Sequence, residues 1–339
     1  MNKLAWVLIL GCLFGVVFAG TGSEPVRISA DKVSGDSEKK IAYIEGNVRI
    51  VQGQTVITTE NLIVNLAQKT AILDRRTKLA NPDVTIESGH LEYNLKQKTG
   101  TFRNQVLLKR FETHNAVKDP FELTATELYF ESDTKDFKSS GNCHLKHKQF
   151  DGKADSVEYD DTGQKLDFKG SVVIQQDAAI IKTENAVIDL AQKQLRLETK
   201  TDMTSRETNI TAAGLSYNYE KKTGTFTQDV VLTRAEVKNT NGKITKDAFT
   251  LKAASLYFET DSNNFTANNA RIEHKDFNGT ADKIDYNDKL QRLTFHGNAH
   301  LIRPHSEELN GEQIEISLPD QSFTVHQSGA VKLLIQEEK

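Results

Sequence analysis

Apolar and polar residues alternate along most of the chain beyond residue 25. From Leu166 to Ile174 every second residue is apolar or glycine, and the residues between them include Asp167 and Lys169. Successive side chains of a strand point to opposite faces, so this pattern predicts one apolar and one charged face. Stretches such as "DDTG", "SDTK" and "TDSNN" supply the residues that reverse a chain. The pattern predicts an all-β body.

Several stretches of this sequence occur twice in nearly identical form. "QKTGTFRNQVLLKR" begins at Gln97 and "KKTGTFTQDVVLTR" begins at Lys221, 124 positions later. "LTATELYFESDTKDF" at Leu123 is echoed by "LKAASLYFETDSNNF" at Leu251, 128 positions later. The extra four residues indicate a tolerated loop insertion. Duplication on this scale predicts stacked structural repeats.

The repeats predict a division of the chain into modules. We expect a first module at residues 26–149, a second at 150–276, and a partial third repeat at 277–339 that closes the array.

Three glycines recur at one register of the repeats, in "IEGNVRI", "FKGSVVI" and "FHGNAHL". They are Gly46, Gly170 and Gly297, and their spacing places them on the apolar side of their strands. Glycine inside a strand commonly marks a bulge or a tight bend. The shared register predicts a shaped bend in each of these strands.

The first residues resemble an export signal. Lys3 precedes an apolar run from Leu4 to Ala19, and Val17 and Ala19 are small residues before Gly20. We expect residues 1–19 to be a cleaved signal peptide and the mature chain to be periplasmic; retention of the segment as an anchor is the alternative. Cleavage leaves Cys143 as the lone cysteine, which we expect to be a small buried apolar residue.

Charge and motifs exclude several classes of function. The net charge is −4 and there is no long basic run, so no nucleic-acid partner is expected. We find no nucleophile elbow, phosphate loop, dinucleotide fingerprint or zinc motif. We therefore expect no catalytic residue, cofactor or metal ion, and a protein that is not an enzyme.

Histidines and acidic pairs do not form a recognisable site in the sequence. His144 and His147 would face opposite sides of a strand, and His296 and His300 would lie roughly 13 Å apart. We expect solvated polar residues at these four histidines and at Asp160, Asp161, Glu307 and Glu308. Recurring aromatic residues are expected in the core and at its lips: Tyr93, Tyr159, Tyr217, Phe258 and Tyr286.

"IEGNVRIVQGQTVITTENLIVN", from Ile44 to Asn65, resembles the OstA-like family of periplasmic lipopolysaccharide-transport bridge proteins, to which LptA belongs. "VRISADKV" at Val26, "ITAAGLSYN" and "GTADKIDYN" match further strands of that family. The resemblance implies an elongated, slightly open β-jellyroll of stacked antiparallel strands, built here from tandem modules. It also implies an apolar interior that binds the acyl chains of lipopolysaccharide.

The family resemblance further implies partners and site residues. Copies join end to end through edge strands and bridge inner-membrane exporter subunits to an outer-membrane barrel protein. This chain is about twice as long as a single-module member. The lipid-binding residues implied by the resemblance are the interior-facing strand positions Ile44, Val48, Ile50, Leu62, Val64, Phe168, Val172, Ile174, Val187 and Leu232.

Two other interpretations remain open at this point. The first is a structural β-solenoid spacer whose interior is a sealed core. Small inward residues in "KSSGN" and "TANNA" favour an incompletely filled interior instead. The second keeps Leu4–Ala19 as an anchor and makes the protein an exporter-associated subunit.

Overall fold

A computed structural model describes residues 14–18, 25–112, 118–303, 308–326 and 333–334. Within these ranges the secondary structure consists of strands, turns and bends, without a helix, which confirms the all-β prediction. No helix among the described residues meets the length and apolarity needed to cross a membrane. The predicted signal peptide lies outside the described residues except for Phe14–Phe18, which form a strand.

The chain divides into two compact units. Unit 1 comprises the residues up to Lys148 together with Lys153–Phe168, and unit 2 comprises Gln149–Gly152 together with Lys169–Lys339. This division does not test where the sequence repeats begin and end. The modules at 26–149, 150–276 and 277–339 therefore stay a prediction.

The strands of unit 1 are β1 (Phe14–Phe18), β2 (Val26–Ala30), β3 (Lys32–Asp36), β4 (Ile41–Gln52), β5 (Thr55–Asn65), β6 (Thr70–Leu73), β7 (Thr77–Ala80), β8 (Val84–Ser88), β9 (His90–Asn94), β10 (Thr99–Arg110), β11 (Phe121–Glu131) and β12 (Phe137–His147). Strands with residues in both units are β13 (Asp151–Asp160) and β14 (Lys165–Gln176). The strands of unit 2 are β15 (Ala179–Asp189), β16 (Gln194–Leu197), β17 (Thr201–Ser205), β18 (Thr208–Ala212), β19 (Gly214–Asn218), β20 (Thr223–Arg234), β21 (Val237–Lys238), β22 (Ile244–Lys246), β23 (Phe249–Glu259), β24 (Phe265–His274), β25 (Phe277–Asn287), β26 (Arg292–Ile302), β27 (Glu308–Ser317), β28 (Phe323–His326) and β29 (Leu333–Leu334).

Long strands in unit 1 pair with shorter strands at their two ends. β4 pairs with β3 along its first half and with β2 along its second half. β5 pairs with β4 along its length and then with β7 and β6, and β10 pairs with β9, β8 and β11. Each of these pairings is antiparallel. Every long strand therefore takes part in two sheet portions, one at each end.

The two ends of a long strand come back together in space. Phe121 begins β11, and Phe130, nine residues later, pairs with Phe137 of β12. Nine residues of straight strand would span about 30 Å, yet the rings of Phe121 and Phe137 lie only 6.1 Å apart. The strand therefore folds over, and its two halves face each other across the core as in a jellyroll.

The same plan is used in unit 2. β15 pairs with β16 and β17, β18 and β19 both pair with β20, and the long strands β20, β23, β24, β25, β26 and β27 follow in order. A separate two-stranded ribbon, β21 with β22, occupies the connection where the repeats differ in length. The insertion inferred from the repeat spacing therefore lies outside the main sheets.

Bulges with left-handed backbone bend the long strands at their middles. In β4 the register shifts between Glu45 and Val48, and Gly46 and Asn47 have φ of +77° and +43°. The corresponding shift in β26 includes Gly297 at φ +68°. The predicted bend is confirmed, but its predicted face is wrong. A Cβ on Gly46 would lie 2.4 Å from Asp31 Oδ2, on the exposed side of the sheet.

Alternating burial follows the sequence pattern closely. In β11 the residues Phe121, Leu123, Ala125, Leu128 and Phe130 are buried. The recurring aromatic residues are confirmed as core residues, each at most 4% exposed: Tyr93, Tyr159, Tyr217, Phe258 and Tyr286. Cys143 is also buried as predicted, and burial raises the pKa of its thiol above the ordinary value.

Candidate functional site: the apolar interior and its rims

The interior of unit 1 is lined by the inward residues of its strands. All five predicted positions in the first repeat are at most 2% exposed: Ile44, Val48, Ile50, Leu62 and Val64. β4 and β5 place Ile44 opposite Leu62 and Ile50 opposite Ile57, so neighbouring strands contribute to one apolar surface. The structure therefore brings these predicted residues together.

The second repeat supplies the equivalent surface, with one correction. Phe168, Val172, Ile174 and Leu232 are buried, but Val187 is 40% exposed and lies on the outer face. The prediction was wrong by one position, and in a strand one position reverses the face. The inward residues of β15 beside Val187 are Ala186 and Ile188, each 1% exposed.

The interior is filled by the protein's own side chains. Bulky aromatic residues such as Phe102, Phe130 and Phe226 are fully buried among aliphatic ones. In unit 2 a narrow crevice remains, with Phe150, Ile174, Ile181, Leu195 and Tyr219 among the residues that line it. In this structure each unit is therefore closed over its apolar interior.

Each sheet portion ends in a row of paired strand ends, which we call a rim. The two rims of a unit meet and form the closed side of its jellyroll. In unit 1 the first rim lies at Val84, Arg110, Phe121 and His147. The second rim of unit 1 lies at Asn94, Thr99, Glu131 and Phe137. In unit 2 the first rim lies at Thr208, Arg234, Phe249 and His274. The second rim of unit 2 lies at Asn218, Thr223, Glu259 and Phe265.

A charged cluster joins the two rims of unit 1. Arg110 is 3% exposed at the end of β10, and both it and Lys118 form ion pairs with Asp161. The Asp161 backbone N–H donates to Asp136 Oδ1 at 2.9 Å, which fixes Asp161 on the second rim. The Arg110 guanidinium lies 5.2 Å from the ring centroid of Tyr159. We call Arg110, Lys118 and Asp161 the Arg110 cluster.

Unit 2 carries the corresponding cluster. Arg234 Nη1 lies 3.4 Å from Asp288 Oδ1, and its Nη2 donates to Gln291 Oε1 at 2.9 Å. Lys246 Nζ donates to Asp288 Oδ2 at 2.5 Å and to Glu207 Oε1 at 2.7 Å. These five residues form the Arg234 cluster. The Arg234 guanidinium lies 5.5 Å from the ring centroid of Phe249 and 5.1 Å from that of Tyr286.

Burial and charge shift several pKa values in these clusters. Burial raises the pKa of Tyr159, which keeps its hydroxyl neutral. Burial also lowers the pKa of Arg234, partly opposed by the Asp288, Glu207 and Asp247 charges. For Glu207, burial alone would raise the pKa, but the hydrogen bond and charge of Lys246 hold the pKa below its ordinary value. The clusters thus keep opposite charges paired between the two rims of each unit.

Two residues expected to be solvated are instead buried at the rims. Asp161 is 5% exposed, because Arg110 and Lys118 contact it from the opposite rim. The His147 side chain is fully buried, with Nε2 3.6 Å from Asp119 Oδ2. Local sequence gave no signal for either contact, since the partners lie far along the chain. Glu307 lies outside the described residues.

Chemically, the arrangement favours enclosure of apolar groups rather than a reaction. The inner faces carry mostly hydrocarbon side chains, and the charged groups on the rims are engaged with one another. Among the residues that the structure describes, no group of three or more His, Cys, Asp or Glu side chains could hold a metal ion.

Comparison with known proteins identifies relatives of this architecture. The family model for "LptA/(LptD N-terminal domain) LPS transport protein" matches residues 27–194, 152–248 and 209–322, which together cover most of the chain. Among solved structures, the chain is similar to LptH from Pseudomonas aeruginosa, described as the LptA-homologous periplasmic component of the lipopolysaccharide transport device. That similarity has 15% identity and a TM-score of 0.23, over 43% of this chain and 83% of that one. No curated protein matches. A TM-score this low establishes no shared arrangement, so the family assignment depends on the family model.

Proposed function

Because this chain belongs to the LptA/(LptD N-terminal domain) family of lipopolysaccharide transport proteins, we propose that it binds the acyl chains of lipopolysaccharide in its apolar interior. On this proposal the mature protein is periplasmic and non-enzymatic. It bridges inner-membrane exporter subunits to an outer-membrane barrel protein, with further copies added through edge strands.

The observation that carries the proposal is the predominantly apolar inner face of the strands. The predicted lipid-binding residues other than Val187 are at most 4% exposed. Exposing one methylene group to water costs about 0.8 kcal/mol, so an acyl chain of about twelve carbons costs on the order of 9 kcal/mol. A protein that offers such a surface removes most of this cost while the lipid crosses an aqueous compartment.

Edge strands supply the proposed means of assembly. Backbone groups at the edge of a sheet pair readily with a strand of another chain. No nucleotide-binding motif occurs in the sequence, so we assign the energy for transport to the exporter partner.

The closed interior gives specific support to a second candidate function. A spacer with a sealed core would also bury Val172 and Phe168 completely, as the structure does. The two candidates differ in one property, which is whether an acyl chain ever reaches those side chains.

Photo-crosslinking tests the proposal directly. A benzoylphenylalanine is placed at Val172, which is 1% exposed, or at Lys169, which is exposed on the same strand. Purified lipopolysaccharide is added to the folded protein, and adducts are counted on a denaturing gel after irradiation. We expect adducts at Val172 and none at Lys169.

The control separates lipid binding from loss of structure. Each variant is first shown by circular dichroism and its unfolding midpoint to be folded. Folded protein without adducts at either position would contradict the proposal and favour the sealed spacer.

A further inference from the structure

We propose that the charged contacts between the two rims are latches that hold each unit closed, and that acyl chains enter only when these latches open. This inference rests on the proposed function, because it specifies how the apolar interior becomes accessible. The latch is built from named side chains at equivalent positions in both units.

Each unit is closed over its interior in this structure. The inward residues Ile50, Leu62 and Phe168 are at most 1% exposed, and protein interiors are packed too densely to take an acyl chain without rearrangement. A lipid that contacts these side chains therefore requires the two sheet portions of a unit to separate.

The rims are the side on which the two sheet portions of a unit can separate. On one side of each unit the sheet portions are continuous, since long strands such as β4 run from one to the other through the bulge at Gly46. On the other side the rims are joined by side-chain contacts. Those contacts in unit 1 are Gln52 Nε2 to Leu95 O at 3.1 Å, Lys135 to Asp83, and the Arg110 cluster. Opening at the rims breaks these contacts and leaves the strands intact.

The same contacts between the rims recur in both units. Arg234, Lys246 and Asp288 follow Arg110, Lys118 and Asp161 by 124, 128 and 127 positions. The glutamine contact recurs as well, with Gln176 Nε2 donating to Tyr219 O at 2.5 Å. Both units thus close with the same chemistry at the same place. The repeated positions also include the aromatic residues packed beneath each cluster, which are Phe121, Phe137 and Tyr159 in unit 1 and Phe249, Phe265 and Tyr286 in unit 2.

The latches are built mainly from charged groups. A purely apolar seal of the same shape would close the mouth at least as stably, since buried ion pairs recover little more than their desolvation cost. Ion pairs differ from an apolar seal because, after the pair separates, each charged group is readily solvated by water or paired with another charged group. Lys118, Lys135 and Lys246 keep side-chain exposures of 21%, 30% and 26%, so solvent reaches the latches from outside.

A reversible bridge across the rims tests the inference. Asp83 and Lys135 of opposite rims are both changed to cysteine in a Cys143→Ala chain that begins after residue 19, with benzoylphenylalanine at the buried Ile86. The cysteines are joined by a short bis-methanethiosulfonate reagent, which dithiothreitol removes. The matched control carries Lys98→Cys and Asp133→Cys, whose side chains pair at 3.0 Å within the second rim.

Purified lipopolysaccharide is added to bridged and unbridged protein, and adducts at Ile86 are counted. We expect the Asp83–Lys135 bridge to abolish the adduct, dithiothreitol to restore it, and the Lys98–Asp133 bridge to leave it unchanged. An adduct of equal intensity in the bridged and reduced Asp83–Lys135 protein overturns the latch and leaves the proposed function standing. No adduct in the unbridged protein overturns the proposed function itself, and the latch with it.

Discussion

Asp161 shows how one carboxylate closes a unit. Arg110 and Lys118 both form ion pairs with it, and Asp136 accepts a hydrogen bond from its backbone N–H at 2.9 Å. Removing one member of such a buried pair leaves the other charge uncompensated. The free-energy cost of the unpaired charge is larger than the net stabilisation that the intact pair provides.

We therefore expect Asp161→Ala to lower the free energy of unfolding of unit 1 by about 3 kcal/mol. Urea denaturation followed by circular dichroism measures the change. The exposed neighbour provides the control, since Asp160→Ala removes a turn acceptor and is expected to cost about 1 kcal/mol or less. Equal midpoints for the two variants would show that the Arg110 cluster does not hold the rims together.

Glu207 gives unit 2 a pH-dependent contribution. Burial alone would raise the pKa of Glu207, but Lys246 holds it below its ordinary value in the folded protein. A carboxyl with a lowered folded pKa stabilises the protein above its unfolded pKa, and the contribution is lost as the pH falls through the folded value. We expect Glu207→Gln to lower the thermal midpoint at pH 7.

The difference between Glu207→Gln and the parent should shrink steadily as the pH is lowered from about 5 toward 3. Thermal unfolding across this range in low-salt buffer measures it. A difference that stays constant from pH 7 to pH 3 would mean that the Lys246 contact contributes no charge-dependent stability.

Among the strands and their bulges, the alternation of apolar and polar residues was enough to predict the elements. It gave the all-β class, whereas the aromatic core positions and the strand bend at Gly46 were predicted from the internal repeats. The error at Val187 came from choosing the wrong face of β15. The repeat spacing of 124 residues carries Leu62 to Ala186 and Val64 to Ile188, which would have given the observed face.

The burial of Asp161 and His147 could not be predicted in this way. Both residues follow ordinary strand and turn sequences, such as "EYDDTG" around Asp161. The contacts of Asp161 with Arg110 and Lys118 form when the sheets fold over. The contact of His147 with Asp119 forms because β11 and β12 pair at that rim. The alternation of apolar and polar residues predicts which face of a sheet a residue occupies. It does not predict which distant residues contact that face.

The bulge glycines permit a prediction about strand bending. At Gly297 a Cβ would lie 2.5 Å from Asp282 Oδ2, and φ is +68°. We expect Gly297→Ala to destabilise unit 2 by about 1–3 kcal/mol, from backbone strain together with the clash. Gly242→Ala is the matched control, because φ there is +75° but no atom lies within 4 Å of the added Cβ.

Urea midpoints of the two glycine variants separate strain from crowding. The account predicts a larger loss for Gly297→Ala than for Gly242→Ala. Equal losses would mean that the left-handed backbone alone, and not the close approach of Asp282, determines the requirement for glycine.

At the scale of the whole molecule, each unit combines a charged outer surface, an apolar interior and a mouth closed by paired charges. The chain belongs to a family of lipopolysaccharide transport proteins, and the features of each unit fit the enclosure of acyl chains. The central claim is that acyl chains reach the interior of these units and leave the outer face untouched.

Fluorescence quenching by brominated acyl chains tests that claim most directly. The chain has one tryptophan, Trp6, which lies in the predicted signal peptide. The mature protein therefore has no tryptophan fluorescence of its own to interfere with the measurement. Tryptophan is placed in unit 1 at Phe130, which is 0% exposed, or at its neighbour Tyr129, which is 37% exposed. We expect brominated lipopolysaccharide to quench the fluorescence of tryptophan at position 130 and to leave the fluorescence of tryptophan at position 129 unchanged. Quenching at 129 without quenching at 130, or at neither position, would contradict it.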